Sequence, residues 1–252
     1  MKGVILAGGT GSRLTPLTKA TNKHLLPIGP QPMIYRSIFQ MKKMGIEQVL
    51  IVTGCEHMGA VVQSLGSGKE FDLHFTYRVQ DEAGGIAQAL GLAENFAGWD
   101  PICVLLGDNV FENPLNAVLT EFYKNKDHGV VVLANIDLER LKRFGVAVLP
   151  GDSCQISKII EKPSTDYLLE LSKNNALFAV TGCYVYPPSV FDTIRELEPS
   201  DRGELEITDV NLHFLQNKKL SYYLFTGAWH DAGTPVSYRN ANEFAWRYFG
   251  AN

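Results

Sequence analysis

Apolar positions in the first hundred residues alternate between two rhythms. An unbroken apolar run at 4–7 follows Lys2-Gly3 and stops at Gly8-Gly9, which predicts a buried strand over 2–7. Residues 32–44 carry Ile34, Ile38 and Met41 at helical spacing, with Pro32 near the start and Gly45 at the end, and predict a helix. The pattern then repeats as a strand over 48–53, a helix over 56–65 and a strand over 73–78. A helix over 85–96 and a strand over 102–106, running into Gly107-Asp108-Asn109, complete it. Strands separated by helices imply right-handed crossovers and a mostly parallel sheet.

The second half is less regular. Strand-like runs at 129–136, 145–149, 156–160 and 178–186 are joined by short loops, and helical periodicity marks 190–197, 207–215 and 236–248. The expected architecture is α/β: a Rossmann-like, mostly parallel mixed sheet flanked by helices, with a smaller antiparallel extension that has a substrate role. No linker or repeat divides it, so residues 1–252 are read as one unit. Ligands of open parallel sheets sit beyond the carboxyl ends of the strands. The glycines after residue 7, Gln80 and Asp108 each follow a different strand at that end, so they are expected to share one crevice.

Composition narrows the class. With 45 % hydrophobic and 20 % charged residues, 252 residues can form a sizeable core, which excludes disorder as the main state. No apolar run approaches the ~18–20 residues of a membrane span. The apolar stretch at 4–7 is too short for a signal peptide, so a cytoplasmic location without membrane attachment is expected. The four cysteines lack any C-x-x-C spacing and are read as small buried residues beside strands. Net charge is −4, yet residues 1–46 carry seven cations and no acid. That basic opening around a glycine loop suggests a small-anion site, while the acidic remainder disfavours a nucleic-acid polymer.

The strongest local signal is Leu6-Ala7-Gly8-Gly9-Thr10-Gly11-Ser12-Arg13-Leu14. Three glycines within four positions let the backbone approach a ligand and aim N–H groups at phosphate oxygens. Leu14 stands where a dinucleotide fingerprint needs a glycine, and a P-loop would need G-K-[ST] where Gly8-Gly9-Thr10 stands. Arg13 offers a planar guanidinium for bidentate phosphate binding, and Lys23 adds a second cation. Glycines alone would equally suit a tight turn beside a surface arginine. Asp108 suits either a metal or a turn, and Glu161-Lys162 before Pro163 suits either a site or a solvated pair. Glu204, Glu206 and Asp209 could form a carboxylate cluster for metal, but capping and orienting roles are preferred, because Thr208 or Asp209 suits a helix start. The six histidines share no metal-ligand spacing.

In this order the motifs resemble the sugar-1-phosphate nucleotidyltransferases, and within them the glucose-1-phosphate thymidylyltransferases. They are L-A-G-G-x-G-S-R-L-x-P-L-T from Leu6, Lys23-His24-Leu25-Leu26-Pro27, Gly84-Gly85-Ile86-Ala87-Gln88-Ala89, Leu106-Gly107-Asp108-Asn109, Ile160-Glu161-Lys162-Pro163 and Val180-Thr181-Gly182. Arg202-Gly203-Glu204-Leu205-Glu206-Ile207-Thr208-Asp209 and Trp229-His230-Asp231-Ala232-Gly233-Thr234 complete the set, which spans nearly the whole chain. The resemblance implies that dTTP and glucose 1-phosphate give dTDP-glucose and pyrophosphate, the first step of dTDP-rhamnose synthesis, in a homo-oligomer. It divides the chain into a nucleotide-binding part at about 1–110 and a sugar-phosphate-binding part at about 111–252.

By the same resemblance Gly8, Gly9, Thr10, Gly11 and Arg13 hold the triphosphate, and Lys23 neutralises charge as pyrophosphate leaves. Leu6, Ala7 and Asp108 also belong to the nucleotide site, and Gln80 and Gly85 contact the pyrimidine. Asp108 and Asp231 hold Mg²⁺, and Arg13, Lys23 and Asp108 carry catalysis. Asn109, Gly145, Glu161, Lys162 and Val180 form the sugar-phosphate pocket. The sequence departs from the family pattern at His24, Pro30-Gln31, Asp81-Glu82-Ala83, Phe144 and His230, which bears on base and sugar preference. It ends at Asn252 where many members continue, so feedback inhibition stays open. A uridylyltransferase, another sugar nucleotidyltransferase and a non-catalytic sugar-nucleotide sensor are the alternatives. A dinucleotide-dependent oxidoreductase is disfavoured by Leu14.

Overall fold

The computed structural model describes residues 1–250. Strand β1 (Lys2–Ala7) is followed by the glycine loop and three short 3-10 turns, then by a hairpin of β2 (Pro27–Ile28) and β3 (Gln31–Pro32). After it come α1 (Ile34–Lys43), β4 (Gln48–Gly54), α2 (Met58–Leu65), β5 (His74–Gln80), α3 (Ile86–Gly91), α4 (Glu94–Ala97) and β6 (Ile102–Leu106). Strands β6, β1, β4 and β5 lie side by side and parallel. Alternation along them sends Ile5 and Ile51 to the face covered by α1, and Val4, Leu6 and Val52 to the face covered by α3. The single helix expected over 85–96 is two. Ala93 N–H turns back to the Leu90 carbonyl (2.9 Å), a tightened i to i+3 bond that interrupts the α pattern.

The second half continues as β7 (Asn109–Phe111), α5 (Asn116–Lys124), β8 (Gly129–Ala134), α6 (Leu138–Leu141), β9 (Gly145–Pro150), β10 (Lys158–Glu161), α7 (Thr165–Leu171) and β11 (Asn175–Tyr186). It ends with α8 (Val190–Arg195), α9 (Ile207–Gln216), β12 (Leu220–Leu224), β13 (Trp229–Asp231) and α10 (Pro235–Phe249). Strands β8 to β12 belong to the same nine-stranded sheet as the parallel ones, while β7 and β13 form a separate antiparallel pair. Strand β11 joins them, running antiparallel to β6, β8 and β9. The sequence pattern missed α5, α6 and α7 because each buries only one or two side chains, such as Val118 and Phe122 on α5. It missed β7 and β13 because each has only three residues.

The pairing of β11 explains where a cleft opens. Ala179 pairs with Ala134 of β8 and with Val146 of β9, so these two strands flank β11 on opposite sides. Strand β6 pairs with β11 from Cys183 onward, on the side that β9 has left. Between them Val180, Thr181 and Gly182 face a gap on that side. The carboxyl end of β6 and the amino end of β9 therefore diverge over these three residues. The cysteine reading needs correction: Cys103 and Cys183 are buried in strands, but Cys55 and Cys154 are exposed in loops. No helix among the described residues is long and apolar enough to cross a membrane.

Candidate active site

A cavity of about 630 Å³ fills the divergence between β6 and β9 and extends over the glycine loop. It is lined by Leu6, Gly8 to Gly11, Arg13, Lys23, Gln80, Gly85, Asp108, Asn109, Gly145, Glu161, Lys162, Val180 and Asp231. Of the site residues read from the sequence, Ala7 does not line it. Ala7 is the last residue of β1, has no exposed surface, and accepts the Asn22 side-chain amide on its carbonyl (3.4 Å).

The loop is glycine-rich for reasons of close approach. Gly11 has φ +66°, and a Cβ there would lie 2.7 Å from the Thr18 methyl and 2.9 Å from Lys23 Cβ. A Cβ on Gly8 would stand 2.5 Å from Gln80 Oε1, so a side chain at Gly8 would push Gln80 aside. Gln80 donates from Nε2 to the Gly85 carbonyl (3.2 Å) and to Gln88 Oε1 (2.8 Å). Its Oε1 accepts no hydrogen bond among the described residues. The side chain thus offers the cavity an acceptor and no donor.

Lys23 sits on a 3-10 turn capped by Asn22, whose Oδ1 accepts from His24 N–H at 2.8 Å. Lys23 Nζ lies 2.6 Å from Asp108 Oδ2, with both side chains largely buried. Burial pushes the Asp108 carboxyl up, but the Lys23 ammonium and the Asn109 amide outweigh it and hold the carboxyl well below the usual range. His24 is buried beside this pair, and burial followed by the Lys23 charge lowers its pKa to about 3. It is neutral, with Nδ1 2.8 Å from Asn22 Oδ1.

Asp231, the last residue of β13, is held by Arg143 Nη2 (2.8 Å) and by Gly233 N–H (3.1 Å). Burial and the Asp108 charge push its carboxyl up. A Cβ on Gly233 would stand 2.8 Å from Asp231 Oδ1, 3.4 Å from Arg13 Nη2 and 3.6 Å from Asp108 Oδ2, so both carboxylates and Arg13 converge there. Two carboxylates facing each other, one destabilised by the other's charge, are a donor set that fits a hard divalent cation with substrate oxygens and waters completing its shell. Among the described residues no third acidic, His or Cys side chain joins them.

At the other end, Glu161 closes β10. Its Oε2 accepts from Thr208 Oγ1 (2.6 Å), and its Oε1 meets Lys162 Nζ (2.9 Å). Lys162 has φ +42°, a left-handed backbone that lysine seldom adopts. Arg202 bridges Glu206 (2.6 Å), Glu204 (3.6 Å) and Glu161 (3.7 Å). Glu204 and Glu206, read as capping or orienting residues, take part in these bonds, but no capping bond forms. Helix α9 begins at Ile207, and its N-cap residue Glu206 makes no side-chain capping bond.

Asn109 links the two ends. Its Oδ1 accepts from the Trp229 indole (2.7 Å) and Gly182 N–H (3.0 Å), while Nδ2 donates to Asp108 Oδ1 (3.0 Å). Only one of its N–H groups is left for a ligand. Trp229 in turn packs on Phe144, just before Gly145, with ring centroids 4.9 Å apart.

The model of the nucleotidyl transferase family matches residues 2–247. The chain belongs to this family. Among nucleotidyl transferases, it is 35 % identical over 246 residues to a glucose-1-phosphate thymidylyltransferase of Neisseria meningitidis, covering 97 % of this chain and 82 % of the relative. A relative of the same description from Xanthomonas campestris is 38 % identical over 251 residues, covering 96 % and 80 %. A crystal structure from Bacillus anthracis, described as a candidate glucose-1-phosphate thymidylyltransferase in complex with sucrose, superposes with TM-score 0.87 at 51 % identity, covering 97 % and 95 %. A UDP-glucose pyrophosphorylase complexed with UDP-glucose gives TM-score 0.82 at 25 % identity, covering 98 % of each chain.

For this nucleotidyl transferase, reading the sequence missed Arg143, Arg202, Thr208 and Tyr184 as cavity residues. Arg143 and Arg202 come from the part of the chain that looked acidic. Of the seven cations before residue 46, Arg13 and Lys23 line the cavity, while Arg36 lies under α10 and Lys42 pairs with Asp72 (2.7 Å). A motif signal existed for Arg202 and Thr208, since both fall in the stretch 202–209.

Proposed function

We propose that the protein transfers a thymidylyl group from dTTP to α-D-glucose 1-phosphate, releasing pyrophosphate and leaving dTDP-glucose. The observation that carries this is one cavity holding Gln80, Arg13 and Lys23, the Asp108–Asp231 pair, and Glu161 with Lys162. Those are a base acceptor, two phosphate cations, a cation-binding carboxylate pair and a sugar-phosphate contact. Resemblance to thymidylyltransferases over nearly the whole chain supports the base and the sugar.

The sugar-phosphate oxygen is already ionised, so in-line attack on the α-phosphorus needs no general base. What remains is to bring two mutually repelling anions together. The glycine loop and Arg13 hold the triphosphate, and Lys162 holds the phosphate of the sugar. Lys23 leaves Asp108 for the pyrophosphate as charge develops on it. Asp108 and Asp231 would hold Mg²⁺, which when bound offsets charge at the α-phosphate. Glu161, fixed by Thr208, accepts from sugar hydroxyls. As in the resemblance read from the sequence, the chain would act as a homo-oligomer, and the product would enter dTDP-rhamnose synthesis.

Uracil presents the same N3–H to Gln80 Oε1 as thymine and lacks one methyl. A buried methyl is worth ~0.8 kcal/mol, and a pocket discriminates one carbon by ~1–3 kcal/mol. The structural match to a UDP-glucose pyrophosphorylase keeps UTP as the second substrate. Pyrophosphate release with glucose 1-phosphate and Mg²⁺ is expected to give the highest kcat/KM with dTTP, a lower measurable value with UTP and negligible turnover with ATP or GTP. Equal activity with GTP and dTTP would overturn the reading.

A further inference from the structure

Gln88 belongs to the Gly84–Ala89 motif but does not line the cavity. It stands in the first turn of α3, three residues after the N-cap position at Gly85. A glutamine there commonly reaches back to the backbone N–H of the N-cap residue. Here it reaches one residue further, and its Oε1 accepts from Gly84 N–H at 3.1 Å. The same oxygen accepts Gln80 Nε2 at 2.8 Å. The Gln88 amide lies so close over Gly84 that any Cβ at that position would collide with it.

The two side-chain amides cannot be turned round independently. Gly84 N–H is shared between the Glu82 carbonyl (2.9 Å) and Gln88. It stays a donor whatever else changes, so the Gln88 atom facing it must be the oxygen, because an NH₂ there would oppose the N–H. That oxygen then requires a donor from Gln80, and the Gly85 carbonyl (3.2 Å) requires the same. Gly84 N–H, acting through Gln88, and the Gly85 carbonyl, acting directly, therefore hold Gln80 with its nitrogen inward and its oxygen toward the cavity.

We propose that Gln88 is a positioning residue for base choice: by locking the Gln80 amide, it makes the site accept a pyrimidine with N–H at the centre of its pairing edge and reject one with a lone pair there. Thymine and uracil carry that N–H, and cytosine carries the lone pair. The proposal rests on the reading that the base sits on Gln80. Without the lock, the Gln80 amide can rotate and offer N–H to cytosine N3.

The test compares kcat/KM for dTTP and dCTP, each with glucose 1-phosphate, in the wild type, Gln88→Leu, Gln88→Ala and Gln88→Glu. Leucine and alanine remove the acceptor, whereas a carboxylate still accepts from both Gly84 N–H and Gln80. The dTTP-to-dCTP ratio should fall about tenfold or more in the leucine and alanine variants, mainly through the KM values. In Gln88→Glu it should stay within roughly threefold of the wild type. A role limited to fold stability would lower both substrates together and leave the ratio unchanged. That result in whichever of the leucine and alanine variants folds, or equal loss of the ratio in Gln88→Glu, would overturn the proposal. A wild type that uses dCTP as well as dTTP would instead overturn the placement of the base on Gln80.

Discussion

Burial decides the chemistry of His24, which stands beside Lys23 in a sequence rich in cations. Its pKa is about 3 in the folded chain, against 6.5 in the unfolded one. Between those values the unfolded chain binds a proton that the folded chain does not, so stability rises with pH through the window. It is fully present above about pH 6.5 and is lost as pH falls toward 3. The slope is about 1.4 kcal/mol per pH unit. His24→Gln should remove that slope. Urea denaturation at pH 6 and pH 5 should show the wild type losing about 1.2 kcal/mol more than the variant. Asp108 is shifted in the same direction, lower in the folded chain, and its stabilisation is lost only as pH falls below the ordinary carboxylate range. Equal losses in wild type and variant would mean that His24 is charged in the folded protein.

Asn109 shows how one side chain joins elements that are distant in sequence. From the start of β7 it ties β11 through Gly182, β13 through Trp229, and the loop residue Asp108. Asn109→Ala leaves the buried indole N–H and the Gly182 N–H without an acceptor, at a cost of ~1–3 kcal/mol each. The variant should unfold at lower denaturant, with a total loss of roughly 2–5 kcal/mol, and should also lose turnover because Asp108 loses a hydrogen bond. A loss under about 1 kcal/mol would mean that another group or a water takes over the two N–H groups. The family resemblance placed Asn109 in the sugar-phosphate pocket. Its bonds show that most of its capacity is spent within the protein.

Across the whole molecule, α10 closes the chain onto its beginning. Gly29 N–H donates to Asn242 Oδ1 (2.6 Å), the Tyr238 hydroxyl donates to the Pro27 carbonyl (2.7 Å), and Arg36 lies 4.1 Å over the Phe249 ring. Ala241 and Ala245 pack with Leu14, Leu26 and Ile28, beneath the turns that carry Arg13 and Lys23. Ala245→Glu would bury a carboxylate without a partner and should cost several kcal/mol, about 2–4. Calorimetric titration should then show weaker dTTP binding as well as a lower melting temperature. Unchanged dTTP affinity in the folded variant would separate α10 from the nucleotide end. The alternating first half, the glycine loop, Gln80 and Asp108 were legible in the sequence, because strand and helix periods and close-approach glycines are local properties of the chain. Asp231 was legible only through the resemblance of the motif around it. The gap where β6 and β9 part along β11 was not legible, nor was the pairing of Arg143 with Asp231 or the locking of Gln80 by Gln88. Each depends on which distant segments meet, and that is settled by sheet register and packing rather than by any residue's neighbours in sequence.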